Sequence, residues 1–273
     1  MTVELGVLAA HVPSICHREN IPPFQEGMVD EMDNIAKEID ALNPDLICIV
    51  SCHWLSTFNH YVDVADRHEG ILTAFECPDI ISDVGYKHVG DREIALQIVE
   101  AGKRARIPVT AIDDPTYVWD YGTVVPLRYL LPKSDVPIVS FSITEAASLE
   151  ESRKWGETIK HVIDESGKKT VFIFSGALAH NLVRGRHNMP TISEQALDKQ
   201  FINYALDRDY ESMISMLPQY ANNAGVEGGG RHLAMMLGIL GINYKPDFKS
   251  YAQSSGSGNA IMTFRKEKNA VEA

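Results

Sequence analysis

Apolar residues along this chain change period repeatedly, from unbroken runs to three- and four-residue steps and back, which marks where strands give way to helices. Val3 to Ala10 is an apolar run that ends at His11 and Pro13, predicting a buried strand that opens into a loop. Met28, Met32, Ile35, Ile39 and Leu42 then recur at four- and three-residue steps, predicting an amphipathic helix that Asn43-Pro44 stops. Asp45 to Ser51, with LICIV at its centre, returns as a buried strand and completes a β-α-β unit, whose connection is expected to be right-handed. Tyr61 to Ala65 alternates like a half-buried strand. Asp66 to Gly90 shows no clear period and is expected to be a long functional loop.

Helix then returns over Ile94 to Ala105 and strand over Pro108 to Ile112, followed by the irregular stretch PTYVWDYGTVVP. Pro137 to Ile143 reads as strand, Leu149 to Asp164 as helix and Thr170 to Ser175 as strand. Three helical stretches follow at Ala196–Leu206, Tyr210–Leu217 and His232–Leu240. Strand-like Asn243–Tyr251 and Ala260–Phe264 come next, and the charged tail RKEKNAVEA is expected to fray. No repeat, low-complexity tract or linker divides the chain. The expectation is a single three-layer α/β/α domain over residues 1–273, with a central, mostly parallel or mixed sheet.

Composition narrows the function classes. With 45% hydrophobic and 23% charged residues, the chain has the balance of a globular protein. A formal net charge of -12 and a pI near 5.3 oppose non-specific binding to nucleic acid or to anionic membranes. No stretch approaches the ~20 apolar residues of a transmembrane helix, and no basic leader precedes the short apolar N-terminal run. Cys16, Cys48, Cys52 and Cys77 lack CxxC spacing; Cys48 and Cys52 are expected in or beside a buried strand. A reduced, cytoplasmic protein is the default reading.

The chemistry gathers on histidines that follow strand-like runs: His11 in LAAHVPS, His53 in VSCHWLS and His180 in FSGALAHN. All three can meet at the carboxyl edge of an open α/β sheet, where ligands bind. Glu227, in the Gly-rich segment AGVEGGGRH, supplies a carboxylate where Gly225 and Gly228 to Gly230 let the backbone crowd a metal. Two imidazoles and a carboxylate suit non-haem Fe(II) and oxygen chemistry, or tetrahedral zinc and hydrolysis. The HExxH signature of zinc peptidases is absent. His17, His60, His68, His88, His161 and His187 sit in contexts that give no reason to choose them, and His232 is ambiguous.

These residues, with the segments AAHVPS, CHWLSTFNHYVDVADRHEG, DYGTVVPLRYL, FSGALAH, MLPQYANNAGVEG, MMLGILG and SSGSGNA, resemble the class III extradiol ring-cleavage dioxygenases, the superfamily of the protocatechuate 4,5-dioxygenase beta subunit. Within it the likeness is greatest to the group that cleaves 3,4-dihydroxyphenylacetate (homoprotocatechuate). The resemblance implies that His11, His53 and Glu227 hold Fe(II) and that His180 is the catalytic histidine beside the iron. Where many relatives carry a histidine in the DYGT segment, this chain has Tyr121, which the resemblance makes a group that hydrogen-bonds substrate or oxygen. It further implies a cytoplasmic enzyme of aromatic catabolism that takes O2 and a catechol or aminophenol, needs no organic cofactor, and works as a homo-oligomer or with a partner subunit. Arg184, Arg186, Arg231 and His60 are the side chains considered for a substrate carboxylate.

Overall fold

The computed structural model describes residues 2–132 and 135–267. The first half of the chain gives β1 (Val3–Ala9), α1 (Pro23–Leu42), β2 (Leu46–Ser56), β3 (His60–Asp63), β4 (Arg67–Leu72), β5 (Val84–Val89), α2 (Arg92–Arg104), β6 (Val109–Ile112) and α3 (Tyr121–Leu130). The second half gives β7 (Ile138–Thr144), α4 (Leu149–Ser166), β8 (Thr170–Ser175), α5 (Ile192–Leu206), α6 (Tyr210–Asn223), α7 (Arg231–Leu240), β9 (Tyr244–Ser254) and β10 (Ser257–Lys266). Eight strands form one sheet in the order β6-β3-β7-β2-β8-β1-β10-β9, and β4 and β5 form a separate hairpin.

The central strands β7, β2, β8 and β1 are mutually parallel, while β10 and β9 add antiparallel pairs at one edge. Side chains of the central strands alternate between two buried layers. In β2, Leu46, Cys48 and Val50 face the layer formed with α2, α4, α5, α6 and α7, whereas Ile47 and Ile49 face the layer formed with α1 and α3. Burial on both faces explains why these strands read as unbroken apolar runs. The layers are helix, sheet and helix, as the pattern predicts. Cys48 and Cys52 are small buried members of β2, also as predicted.

Two segments differ from the sequence reading. Asp66 to Gly90 is not a structureless loop, because it carries the β4–β5 hairpin, with His68 opposite His88 and Leu72 opposite Val84. Its inward residues do alternate, but Gly, Asp and Pro punctuation hides the period. The stretch PTYVWDYGTVVP is not wholly irregular: α3 begins at Tyr121, capped by the Asp120 side chain, which accepts from Thr123 N. Pro126 inside this helix masked it. Arg265 and Lys266 of the expected tail close β10 as ion-paired residues, and residues 268–273 lie outside those described.

Strand register is what assembles the site. Ala9 of β1 and Ser51 of β2 both pair with Ser175 of β8, so the three chains reach the carboxyl edge of the sheet level with one another. His11 follows Ala9 by two residues, His53 follows Ser51 by two, and His180 follows Ser175 by five.

Candidate metal centre

His11 and Glu227 are buried, and His53 is nearly so. Glu227 Oε1 lies 3.1 Å from His11 Nε2 and 3.2 Å from His53 Nε2. The three donor atoms all fall within 4.8 Å of one another, a spacing that could hold a metal ion. His53 does not follow its strand, as the sequence suggested, but lies inside β2. There the pairing with β7 slips between Ser51 and Leu55, and the bulge aims the imidazole at the site.

Several contacts set the donor atoms. Ala177 N donates to Glu227 Oε2 at 2.5 Å, leaving Oε1 for the histidines. Burial alone would raise the Glu227 carboxyl, but His11, His53 and His180 around it hold it well below the usual carboxylate range. Burial lowers His53 while the Glu227 carboxylate raises it, and the carboxylate prevails. Buried His53 Nε2 makes no aligned hydrogen bond, and Glu76 Oε1 stands 3.5 Å from the other nitrogen, Nδ1. With Nε2 lacking an aligned hydrogen bond and facing Glu227 Oε1, His53 has the placement of a metal ligand. The donor set therefore fits a divalent cation on this chain's own geometry.

The glycines around Glu227 also have a backbone role. Gly228, Gly229 and Gly230 have φ of 58°, 64° and 76°, so three successive left-handed residues turn the chain from Glu227 into α7. Gly225 also has positive φ, and a Cβ there would lie 2.2 Å from Asn181 Oδ1.

His180 Nε2 is 3.8 Å from Glu227 Oε1, outside the tight triad and more exposed than its members. Burial, with help from His11 and His53 and against the pull of Glu227, lowers its pKa. Tyr121, the first residue of α3, lies with its ring 3.9 Å from that of His53 and 5.6 Å from that of His11. Burial pushes its phenol up, so it remains protonated.

Sequence reasoning missed the residues behind the triad and His180: Ser175, Asp120, Glu76 and Asp198. Ser51 Oγ donates to Asp120 Oδ1 at 2.6 Å and accepts from His53 N at 3.2 Å, linking the α3 cap to the bulge. Ser175 ends β8 and Asp120 caps α3, places that could have signalled them, whereas Glu76 in a turn and Asp198 within α5 carry no such local mark. Of the histidines given no role, His60 is buried between Thr144 and Glu151, His68 pairs with Asp63, and His161 pairs with Glu165 on the surface of α4. His232 is fully buried against Gly176, and burial pushes it down to about 4. That marks it as a neutral packing ring. Arg231 is spent on the carbonyls of Glu145, Ala147 and Gly228, and Arg184 is exposed. Arg186 lines a cavity of about 310 Å³ with Pro13, Ser14, His17, Asn20, Asp79 and Ile80.

Comparison with known proteins gives the family. Residues 5–265 match the family described as the catalytic LigB subunit of aromatic ring-opening dioxygenase. The chain is 27% identical over 268 residues to 3,4-dihydroxyphenylacetate 2,3-dioxygenase of Escherichia coli, covering 92% of this chain and 96% of the relative. It is 24% identical to the 2-aminophenol 1,6-dioxygenase beta subunit of a Pseudomonas species, covering 96% and 94%. The crystal structure of an uncharacterized protein from Escherichia coli K12 superposes with a TM-score of 0.71 at 18% identity, over 95% of this chain and 99% of that one, which establishes the shared fold. With that match running from the first strand to the last, the chain belongs to the LigB family and is an extradiol ring-cleavage dioxygenase.

Proposed function

We propose that the enzyme is an Fe(II)-dependent 3,4-dihydroxyphenylacetate 2,3-dioxygenase, with His11, His53 and Glu227 as the metal ligands, His180 as the acid/base and Tyr121 as a hydrogen-bond donor to substrate or oxygen. The observation that carries the reading is the 2-His-1-carboxylate set with His180 standing just outside it. Bound Fe(II) supplies a Lewis acid that favours the deprotonated catechol and a partner for dioxygen.

The chain's own groups do the rest. With its pKa below the ordinary 6.5, His180 is neutral near pH 7 and can take a hydroxyl proton from the catechol, then return one as the ring opens. Tyr121, kept as a phenol with its ring beside the two imidazoles, has an O–H to donate. The choice of substrate is supported by the Escherichia coli relative, and Arg186, which shares a cavity with Pro13 and Ser14 just after His11, is the cation proposed to meet an acid side chain. No helix is long and apolar enough to cross a membrane. Four free cysteines support a reducing compartment, the cytoplasm. The two 2-aminophenol dioxygenase subunits of a Pseudomonas species, both similar to this chain, support an oligomer of like or unlike subunits.

The test is to load the protein with Fe(II) anaerobically, admit air and 3,4-dihydroxyphenylacetate, and follow oxygen uptake with formation of the yellow semialdehyde. Turnover supports the assignment. Inactivity with that acid but turnover of 2-aminophenol moves the substrate to the aminophenols. Stoichiometric zinc with ester or amide hydrolysis refutes the dioxygenase chemistry of the site.

A further inference from the structure

Pro126 lies inside α3, where position i normally donates its N–H to the carbonyl four residues back. That carbonyl belongs to Gly122, and proline has no N–H to give it. Ser175 Oγ donates to Gly122 O instead, at 2.5 Å. The same Oγ lies 2.8 Å from His11 Nδ1, and both residues are buried. A serine hydroxyl has one hydrogen. Since Gly122 takes it, the contact with His11 must run the other way, with Nδ1–H donating to the serine oxygen. His11 Nε2 therefore carries its lone pair toward Glu227 Oε1, 3.1 Å away, where a metal would sit.

Gly122 can occupy this place only as glycine. A Cβ on it would lie 2.4 Å from Ser51 Oγ, 2.9 Å from Asp120 Oδ1 and 3.2 Å from His53 Cβ. The first turn of α3 is thus pressed against Ser51 and His53, and its one carbonyl released by proline is the one that Ser175 reaches.

We propose that Pro126 is a positioning residue for the metal centre: by withholding a helix N–H it leaves the Gly122 carbonyl to Ser175, which fixes His11 as an Nε2 ligand. The inference rests on the reading of His11, His53 and Glu227 as ligands. A helix-interior proline ordinarily weakens its helix, so replacing it should stabilise the fold unless the residue serves something else. That gives the proposal opposite signs in two measurements.

The experiment titrates metal-free wild type, Pro126→Ala, Ser175→Ala and the double variant with Fe(II) alone under anaerobic conditions, in competition with a chromogenic chelator. Thermal unfolding of each metal-free protein is recorded beside it. In Pro126→Ala the new amide competes for Gly122 O and frees the serine hydrogen to face His11. The expected result is Fe(II) affinity reduced by about tenfold or more, as for loss of a partner behind a metal ligand, with an unfolding midpoint equal to or above wild type. Ser175→Ala is expected to fall by roughly 10- to 100-fold, and adding Pro126→Ala to it should cost little more, because both act through one contact. Wild-type affinity in Pro126→Ala, or losses that add in the double variant, would overturn the proposal while leaving the ligand assignment intact. A wild-type protein that takes up no Fe(II) would overturn both.

Discussion

Asp198 Oδ1 accepts a hydrogen bond from Ala179 N at 3.0 Å, immediately before His180 in the chain. The same buried carboxyl accepts from Tyr220 at 2.6 Å and from Tyr251 at 2.5 Å. On the other side, Gly258 N donates to Ala179 O and His180 N donates to Ala224 O. His180 is therefore carried on a backbone fixed from α5, α6 and β10 at once. Asp198→Asn keeps an acceptor but gives the two tyrosines an amide to accommodate. It is expected to lower kcat several-fold while Fe(II) stoichiometry stays at wild type, and steady-state kinetics beside metal analysis would check this. Asp198→Ala leaves buried donors without a partner and should cost stability on the order of several kcal/mol.

His180→Gln separates catalyst from ligand. Because His180 stands outside the tight triad, the variant should bind Fe(II) and catechol yet lose roughly 10²- to 10⁴-fold in kcat, the range of a general acid/base. His53→Ala, by contrast, should lose metal and turnover together. A His180→Gln protein purified without the capacity to bind iron would merge the two roles.

Arg186 lines the cavity beside Pro13 and Ser14, which follow His11 closely in the chain. If it meets the acid group of the substrate, Arg186→Gln should lower kcat/KM for 3,4-dihydroxyphenylacetate relative to 4-methylcatechol by roughly five- to tenfold, the worth of one partly solvated ion pair. Equal effects on the two catechols would remove Arg186 from substrate binding.

Acid stability should carry the signature of His60. This imidazole is fully buried, and burial, with Arg231 second, pushes it down to about 4 from an ordinary 6.5. Above pH 6.5 it is neutral both folded and unfolded, so its preference for the fold is complete. As pH falls from 6.5 toward 4 the unfolded chain gains a proton that the folded one refuses, and stability declines. The difference in unfolding free energy between wild type and His60→Gln should shrink across that window by an amount on the order of 3 kcal/mol. Urea unfolding of the metal-free proteins at several pH values measures it.

The layered fold and the residues now read as ligands were legible because they rest on local pattern. Buried parallel strands are continuous apolar runs; His11 and His180 sit a few residues past the ends of β1 and β8, and His53 just past the apolar run of β2, on its bulge. What stayed hidden depends on partners far away in sequence. Nothing in FIFSGA marks Ser175 as the residue behind His11, since that role needs β8 beside β1 in one particular register. Helix α3 was missed because Pro126 reads locally as a breaker, and only the folded structure shows a hydroxyl taking up the carbonyl that proline leaves. The Gly-rich segment drew attention to Glu227, and the backbone angles add a reason the sequence did not show: the glycines turn the chain.

The same register has a consequence for biosynthesis. Strand β1 pairs with β8 on one side and β10 on the other, and Glu227 follows His11 by 216 residues. At about 5 to 20 residues per second, a ribosome that has made His11 works for roughly 10 to 40 s more before it reaches that carboxylate. Until Glu227 is made, the nascent chain holds His11 and, from residue 53 on, His53, but no complete triad. A metal held by this triad is thus a late arrival: the ion would be acquired by a polypeptide already largely made, so that its supply would govern activation of the enzyme rather than its synthesis.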